Sequence, residues 1–478
     1  MKIVLVLEGS YPYVHGGVST WVHDYIQSMP DCEFLLWTIC SLHQKGRFVY
    51  ELPDQVVEIK ELVLDKTDKS SSPRPASFPK PIYEELTHLV QGEELEWSVL
   101  FDYFQEKNSA TQSYLQSPAL FQLLLDMVEE KQIQVGIADF IHTQRSILSP
   151  LLRMLQEEPP QGDIYHALST GYAGVLAALG SHLCQKPFIL SEHGLYCRER
   201  EEEILQSDWI HPAFKFTWIQ HFRQLARLAY KQAACVTSLF GEARNYQIAK
   251  GADPKVCLVI PNGIDYASWS QLECFENAQV TFGAVVRLAP IKDIHTLIYA
   301  WAEVEAQLPQ ACLEIMGGED DADYARSCYE LVESLQLQRV FFKGRVEVRK
   351  KMADIDVVVL TSISEGQPLS ILEGMAAGRP CIVTDVGACR ELMDGREDEE
   401  VASAGRVVDP MNRKQLADAF LELASSYQKR LQMGNVGRER VERFYQHADM
   451  IKGYTKIYEE VQDGRGRTKT EKGTNKST

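Results

Sequence analysis

The chain has 478 residues, 45% of them apolar and 24% charged, and a net charge of −18. That length exceeds what one core fills and predicts two domains of an ordinary globular protein. The acidic balance excludes a general basic surface for nucleic acid or anionic lipid; eleven scattered cysteines without a C-x-x-C pair exclude a disulfide framework or zinc site and point to reduced thiols in the cytoplasm.

Residues 2–8 predict a buried strand. Glu8 interrupts the apolar run too soon for a signal peptide, and no stretch reaches the length of a membrane span. A loop carrying Gly16 and Gly17 follows, then a helix over 20–29. Strand, glycine loop and helix make the first βα unit of a doubly wound domain, and the two glycines let a ligand come close to the backbone. The loop is not G-x-G-x-x-G, and no acidic ribose partner stands where a dinucleotide needs one.

Residues 32–39 predict the next strand, 64–81 an exposed loop, and the stretch to about 133 a helical insert. The insert carries aromatic residues from Tyr83 through Trp97, Phe101, Tyr103 and Phe104 to Phe121. Such a stripe serves a core, a carbohydrate platform or a partner surface, and the sequence leaves all three open. Alternation of strand and helix resumes at 164–168, 173–179 and 187–190. The last of these runs into S-E-H-G-L-Y, which puts His193 at a strand end. A helix over 214–232, strands over 234–239 and 257–260, and the turn P-N-G-I-D complete the first half. The second half repeats the rhythm, with strands expected at 280–288, 312–316, 340–342, 357–360, 381–384 and 406–408. Helical sequence then runs to about 461, and the polar tail from residue 463 predicts disorder.

The most informative stretch is 362–380, S-I-S-E-G-Q-P-L-S-I-L-E-G-M-A-A-G-R-P. A β-branched strand precedes it, and the apolar run after Pro368 is a helix with Gly378 as its stop. Strand, tight loop and helix aim free N–H groups and a positive dipole end at whatever lies above the strand. Glu365 and Glu373, eight residues apart, only accept hydrogen bonds when ionised, so they suit sugar hydroxyls and repel phosphate. Arg287 and Lys292, in R-L-A-P-I-K-D, stand just past a strand, Arg the better bidentate clamp and Lys the better point charge. Gly317, in M-G-G-E, closes another strand in a form suited to a nearby nucleotide. Two D-x-D strings, at 321–323 and 354–356, could hold a divalent ion, but short acidic strings are common in an acidic chain, Arg, Lys and the helix end already supply positive charge, and no metal is expected.

This stretch resembles the E-x7-E signature of retaining GT-B glycosyltransferases, family 4 in particular. The resemblance implies two Rossmann-like, doubly wound α/β domains facing a cleft, with a helical insert in the first. It places the N-terminal domain at 1–272, with the insert at about 65–132, and the nucleotide-sugar domain at 273–440. A last helix at 441–462 crosses back to the first domain, ahead of the tail at 463–478. It implies that Glu365 contacts the donor sugar and Glu373 the ribose, while Gly366, Gln367, Pro368, Leu369 and Ser370 meet sugar and phosphate through the backbone. Arg287 and Lys292 hold the diphosphate, Gly16 and Gly17 approach it, and the backbone at Arg345 and Val346 reads the base. His193 contacts the donor sugar in a role left open.

A closer likeness, to the PelF-type glycosyltransferases of Pel exopolysaccharide synthesis, rests on three motifs: E-G-S-Y-P-Y-V-x-G-G-V-S-x-W, S-E-H-G-x-Y-x-R-E-R and S-x-S-E-G-Q-P-L-x-x-L-E. It implies a UDP-hexose donor, a growing polysaccharide as acceptor, no cofactor, and work beside membrane-embedded Pel components at the inner face of the membrane. A UDP-sugar 2-epimerase and a non-catalytic UDP-sugar-binding scaffold are the alternatives on the same architecture.

Overall fold

The computed structural model describes residues 1–64, 76–106, 110–130, 135–274, 276, 279–396, 399 and 402–464. Residues 65–75 of the expected exposed loop and 465–478 of the expected disordered tail lie outside the described residues. The chain forms two compact units: Met1–Ser238, Arg244–Leu258 and the chain from Thr455 onward make the first, Leu239–Ala243 and Val259–Tyr454 the second. The division falls at Leu258, ahead of the boundary expected at 272.

The first unit is built on a seven-stranded sheet of β1 (Lys2–Glu8), β2 (Glu33–Cys40), β3 (Val56–Val63), β4 (Ile164–Ala167), β5 (Phe188–Ser191), β6 (Cys235–Ser238) and β7 (Cys257–Val259), in the order β3-β2-β1-β4-β5-β6-β7. The pairs β1–β2, β1–β4, β2–β3, β4–β5 and β5–β6 are parallel. A parallel sheet must be covered on both faces, which explains why Ile3 to Leu7 are all buried. The sequence did not suggest β3. Its charges, Glu58, Lys60 and Glu61, interrupt the apolar pattern and fit a strand at the sheet's edge.

The expected helical insert is present, with a boundary that differs from the expected one. Helices Lys80–Gln91, Trp97–Glu106, Thr111–Leu115 and Pro118–Glu130 are followed by Ile137–Met154, so helical structure continues past residue 132 almost to β4. Pro150 inside that last helix disguises it in the sequence. The aromatic stripe proves to be core. Trp97, Phe101, Phe104 and Tyr114 join one hydrophobic cluster with Val4 and Trp37 of the sheet, and of the residues singled out above only Phe121 is exposed.

The second unit has six strands: β8 (Thr281–Val285), β9 (Cys312–Met316), β10 (Val340–Gly344), β11 (Val357–Leu360), β12 (Cys381–Thr384) and β13 (Gly405–Val408). Their order is β10-β9-β8-β11-β12-β13, every neighbouring pair parallel. Helices Ile294–Gln307 and Arg413–Ala424 pack against each other on this sheet. Their contact holds Trp301 and Phe420 edge to face at 5.4 Å, with Phe282 of β8 at 5.7 and 4.8 Å from them. Each such pair contributes about 0.5–1.5 kcal/mol beyond the area it buries. Both units are Rossmann-like. Among the described residues no helix is long and apolar enough to cross a membrane.

Candidate active site

In an open parallel sheet, ligands bind past the carboxyl ends of the strands where the order reverses. In the second unit that point lies between β8 and β11, and the loops leaving these strands carry the residues of interest. After β8, Pro290–Lys292 forms a single tight turn. Asp293 follows at φ 46 and caps the next helix by accepting from the Thr296 N–H at 3.3 Å. Asp tolerates this left-handed conformation better than most residues, and it fixes the direction in which Lys292 leaves the chain. Thr361, at the end of β11, donates to the Lys292 carbonyl at 2.9 Å, and the Ile363 N–H bonds the Ile291 carbonyl at 2.8 Å. The two loops are therefore tied to each other.

Across this tie, Lys292 Nζ stands 2.5 Å from Glu365 Oε1, with both side chains about 15% exposed or less. Ser362 Oγ donates to the same oxygen at 2.5 Å. Helix Leu369–Ala376 begins three residues beyond Gly366, with Pro368 as its cap, so the N–H groups of Leu369 and Ser370 have no acceptor inside the helix. The Gln367 side chain turns inward, accepting from the Asn262 N–H at 2.6 Å, while Asn262 Nδ2 donates to the Gln367 carbonyl at 3.1 Å. Gln367 anchors the P-N-G turn through its side chain and its backbone carbonyl, which leaves its backbone N–H. Gly366 is pressed by Gly387, whose added Cβ would meet the Glu365 and Gly366 carbonyl oxygens at 2.2 and 2.4 Å.

Glu373 lies within the helix, and no described residue hydrogen-bonds its carboxylate. Burial pushes that carboxyl from 4.5 up to about 7. Between these two values the folded protein keeps a proton that the unfolded chain has released, so this group weakens the fold steadily as pH rises through the window. Glu373→Gln is expected to flatten that slope. Its stability relative to the wild type improves by about 2–3 kcal/mol between pH 4 and pH 8, measured by denaturant unfolding at both pH values. An identical pH slope in both proteins refutes the assignment.

Arg287, Gly317 and Arg345 share a second corner. The Val286 N–H bonds the Met316 carbonyl at 2.9 Å and the Leu288 N–H bonds the Gly318 carbonyl at 2.8 Å, which lays the β8 loop along the glycines. Arg287 is half-exposed and ion-paired with Asp320. Arg345 is exposed, its guanidinium lies over Gly318, and Val346 beside it is half-buried. The D-x-D strings have local duties. Asp321 caps a helix through the Tyr324 N–H at 2.9 Å, Asp323 pairs with Arg326 at 3.0 Å, Asp354 with Lys351 at 3.2 Å, and Asp356 accepts from the Thr281 N–H at 2.8 Å. Among the described residues no group of three or more His, Cys, Asp or Glu could hold a metal ion.

The first unit's corresponding point lies between β1 and β4. There a cavity of about 250 Å³ is bordered by residues after β1, β4 and β5, including Glu8, Ser10, Ser169, Glu192, His193 and Tyr196. His193 sits edge to face on Trp21 at 4.3 Å. Burial brings its imidazole down to about 4, so it is neutral, and its Nε2 is buried without a partner. Glu192 is fixed from three sides: it accepts from Thr170, from Tyr230 at 2.8 Å and from Gln247 at 2.9 Å. Gly16 caps helix Gly17–Gln27, which begins three residues earlier than expected, and a Cβ at either glycine would meet nothing within 4 Å. Neither glycine is required by packing. Glu8 and Tyr196 did not stand out as site residues in the sequence. Glu8 ends an apolar strand and reads as its boundary, while Tyr196 stands beyond the strand-end His193; only the sheet order brings the two together.

Residues 279–426 match the family Glycosyl transferases group 1. A galactosyltransferase of Escherichia coli, UDP-Gal:alpha-D-GlcNAc-diphosphoundecaprenol alpha-1,3-galactosyltransferase, is 25% identical over 262 residues, covering 52% of this chain and 63% of its own length. The N-acetyl-alpha-D-glucosaminyl L-malate synthase of Bacillus anthracis is 25% identical over 173 residues, covering 36% and 43%. The chain thus spans 43% to 63% of the length of these two relatives. The fold is shared with Anabaena HepE, solved with UDP and glucose, at a TM-score of 0.60 and 16% identity over 96% of this chain and 99% of that one. It is shared equally with sucrose-phosphate synthase of Thermosynechococcus elongatus, at a TM-score of 0.61 and 17% identity over 97% and 100%. Residues 1–255, more than half of the chain, match the Domain of unknown function (DUF3492), so the chain belongs to that family and joins its domain to a group 1 glycosyltransferase domain of GT-B type.

Proposed function

We propose that this chain is a retaining glycosyltransferase of family 4 that moves a hexosyl unit from UDP-glucose or a UDP-N-acetylhexosamine to a growing exopolysaccharide of Pel type. The carrying observation is the Lys292–Glu365 pair beside the start of the helix that bears Glu373. The UDP-sugar named for the E. coli relative and the three PelF-type motifs support the donor and acceptor.

When the bond from the anomeric carbon to the diphosphate breaks, negative charge grows on the diphosphate and the sugar becomes oxocarbenium-like. Lys292, Arg287 and the helix N–H groups favour the first change. Glu365 holds Lys292 in place and presents its other oxygen to sugar hydroxyls. Glu373, unpaired and half-buried, is suited to a ribose diol. The acceptor oxygen bonds the anomeric carbon on the face that UDP leaves, and its proton passes to the departing phosphate. The reaction needs no resident cofactor or metal in this reading, and the protein works at the cytoplasmic face of the membrane beside Pel components.

Calorimetry with UDP-glucose, UDP-N-acetylglucosamine, UDP-N-acetylgalactosamine, GDP-mannose and ADP-glucose tests the donor. A UDP-sugar is expected to bind best, and Glu373→Ala to weaken UDP itself about tenfold. Preference for a GDP- or ADP-sugar, or undiminished UDP binding in the variant, overturns the assignment. Binding without transfer to any glycan marks a scaffold, and conversion of free UDP-sugar marks an epimerase.

A further inference from the structure

The first unit carries another cavity, of about 590 Å³, that the proposed reaction does not use. It lies among the helices and not at a strand end, between the first turns of helix Ile137–Met154 and residues 209–218. Helix Tyr196–Gln206 leads from the strand-end cavity towards it, and its 11 residues span about 16 Å. The volume falls inside the range of roughly 300–1,000 Å³ usual for ligand pockets.

The two walls differ in chemistry. One is polar. Asp139, His142, Thr143 and Ser146 recur every three or four residues and share one face of their helix, while Phe140, Ile147 and Leu151 are buried. Asp139 folds its carboxylate back beside Gly136, near the helix's positive end, and its oxygens can accept from a hydroxyl. The other wall is aromatic. Trp209 is 74% exposed, more than any other large apolar side chain among the described residues. Its ring is nonetheless held in place. It stands edge to face on Trp218 at 5.6 Å, Trp218 stacks on Phe222 at 6.1 Å, and the adjoining Ile210 is buried in the core. His211 caps helix Pro212–Gln232, its Nδ1 accepting from the Ala213 N–H at 3.3 Å. That bond puts the ring proton on Nε2, which is then a donor.

A fixed aromatic surface opposite carboxylate, hydroxyl and imidazole groups matches a ligand with an apolar face and a rim of hydroxyls, which describes a pyranose ring. Among the described residues no lysine or arginine lines the cavity, so a phosphate or carboxylate entering it meets Asp139 and no cation of that kind. An acyl chain or an apolar helix would leave the polar wall unpaired.

We propose that this cavity is a saccharide-binding site separate from the reaction centre, in which Trp209 stacks on the C–H face of an uncharged sugar ring while Asp139 and His211 bond its hydroxyls. That the held glycan is the one being lengthened rests on the glycosyltransferase reading above; the binding itself does not.

The test titrates the full chain, with UDP present in excess, with cellohexaose, maltohexaose and chitohexaose, read by calorimetry and tryptophan fluorescence. At least one of these neutral hexamers is expected to bind, and Trp209→Ala to weaken it about tenfold, with Trp209→Phe recovering part of the loss. The position is exposed, so the variants are expected to melt close to wild type. The anionic hexagalacturonate is expected to bind more weakly than the best neutral hexamer. Binding of none of the three, equal binding by wild type and a folded Trp209→Ala, or a preference for the anionic hexamer overturns the proposal. If Trp209→Ala instead abolishes self-association or binding to phosphatidylglycerol vesicles and leaves hexamer binding unchanged, the occupant is a second copy or a lipid surface, and the proposal is likewise overturned. Failure to release UDP from any donor, with hexamer binding intact, overturns the parent reading alone.

Discussion

Lys292→Met is expected to lower sugar transfer by about 10²–10³-fold at saturating donor, the usual effect of removing one charge-stabilising group from the leaving side of a reaction. Methionine keeps the length of the side chain and removes only the ammonium. Glu365 would still accept from Ser362 at 2.5 Å, and both bonds between the loops use backbone carbonyls that the substitution leaves in place. The measurement is UDP release with acceptor present, beside a melting curve. A fall in kcat with KM little changed places the contact in the transition state, whereas a rise in KM alone places it in binding. Turnover within threefold of wild type in a folded variant would remove Lys292 from the diphosphate site.

Gly317→Ala is expected to be the most destabilising of the conservative changes at the site, costing more than about 3 kcal/mol. The added Cβ would stand 1.8 Å from the Val286 carbonyl oxygen. Both groups are backbone, and the hydrogen bonds from Val286 to Met316 and from Leu288 to Gly318 hold the two chains together on either side. Neither can retreat without breaking the ends of β8 and β9. For a unit of this size that cost lowers Tm by roughly 6–12 °C, or leaves the protein insoluble. Gly16→Ala and Gly17→Ala are the controls. With open space around either Cβ, each variant should melt within about 2 °C of wild type. A Gly317→Ala protein as stable as these controls would show that the β8 loop and the glycines do not touch as described.

The second unit was almost fully legible because its strands are short, apolar and separated by glycine or proline. The run Val357 to Leu360 and the stop at Gly378 could each be placed to the residue. The first unit was less so. β3 carries edge charges that break its alternation, and helix Ile137–Met154 hides behind Pro150. At the candidate site, the motifs singled out Lys292, Glu365 and Glu373, and the structure pairs the first two. The motifs could not show that Gln367 faces Asn262, since a glutamine in a polar loop carries no sign of direction. Nor could they show that Arg287 is ion-paired with Asp320, 33 positions away. Glu8's place on the pocket wall eluded the sequence because it depends on β4 and β5 lying beside β1, a fact of topology and not of composition.

In the first unit, Tyr25 and His166 are both hydrogen-bonded to the hydroxyl of Tyr458, at 2.5 and 2.7 Å. His166 continues the row to Ser191 at 2.8 Å, all of it buried. Tyr458 is 433 positions downstream of Tyr25, after the whole second unit. As the chain emerges from the ribosome, the first sheet can therefore be assembled while this row still lacks its central hydroxyl. The nascent first unit must wait for its neighbour to be translated before these two hydrogen bonds form and it reaches its final stability.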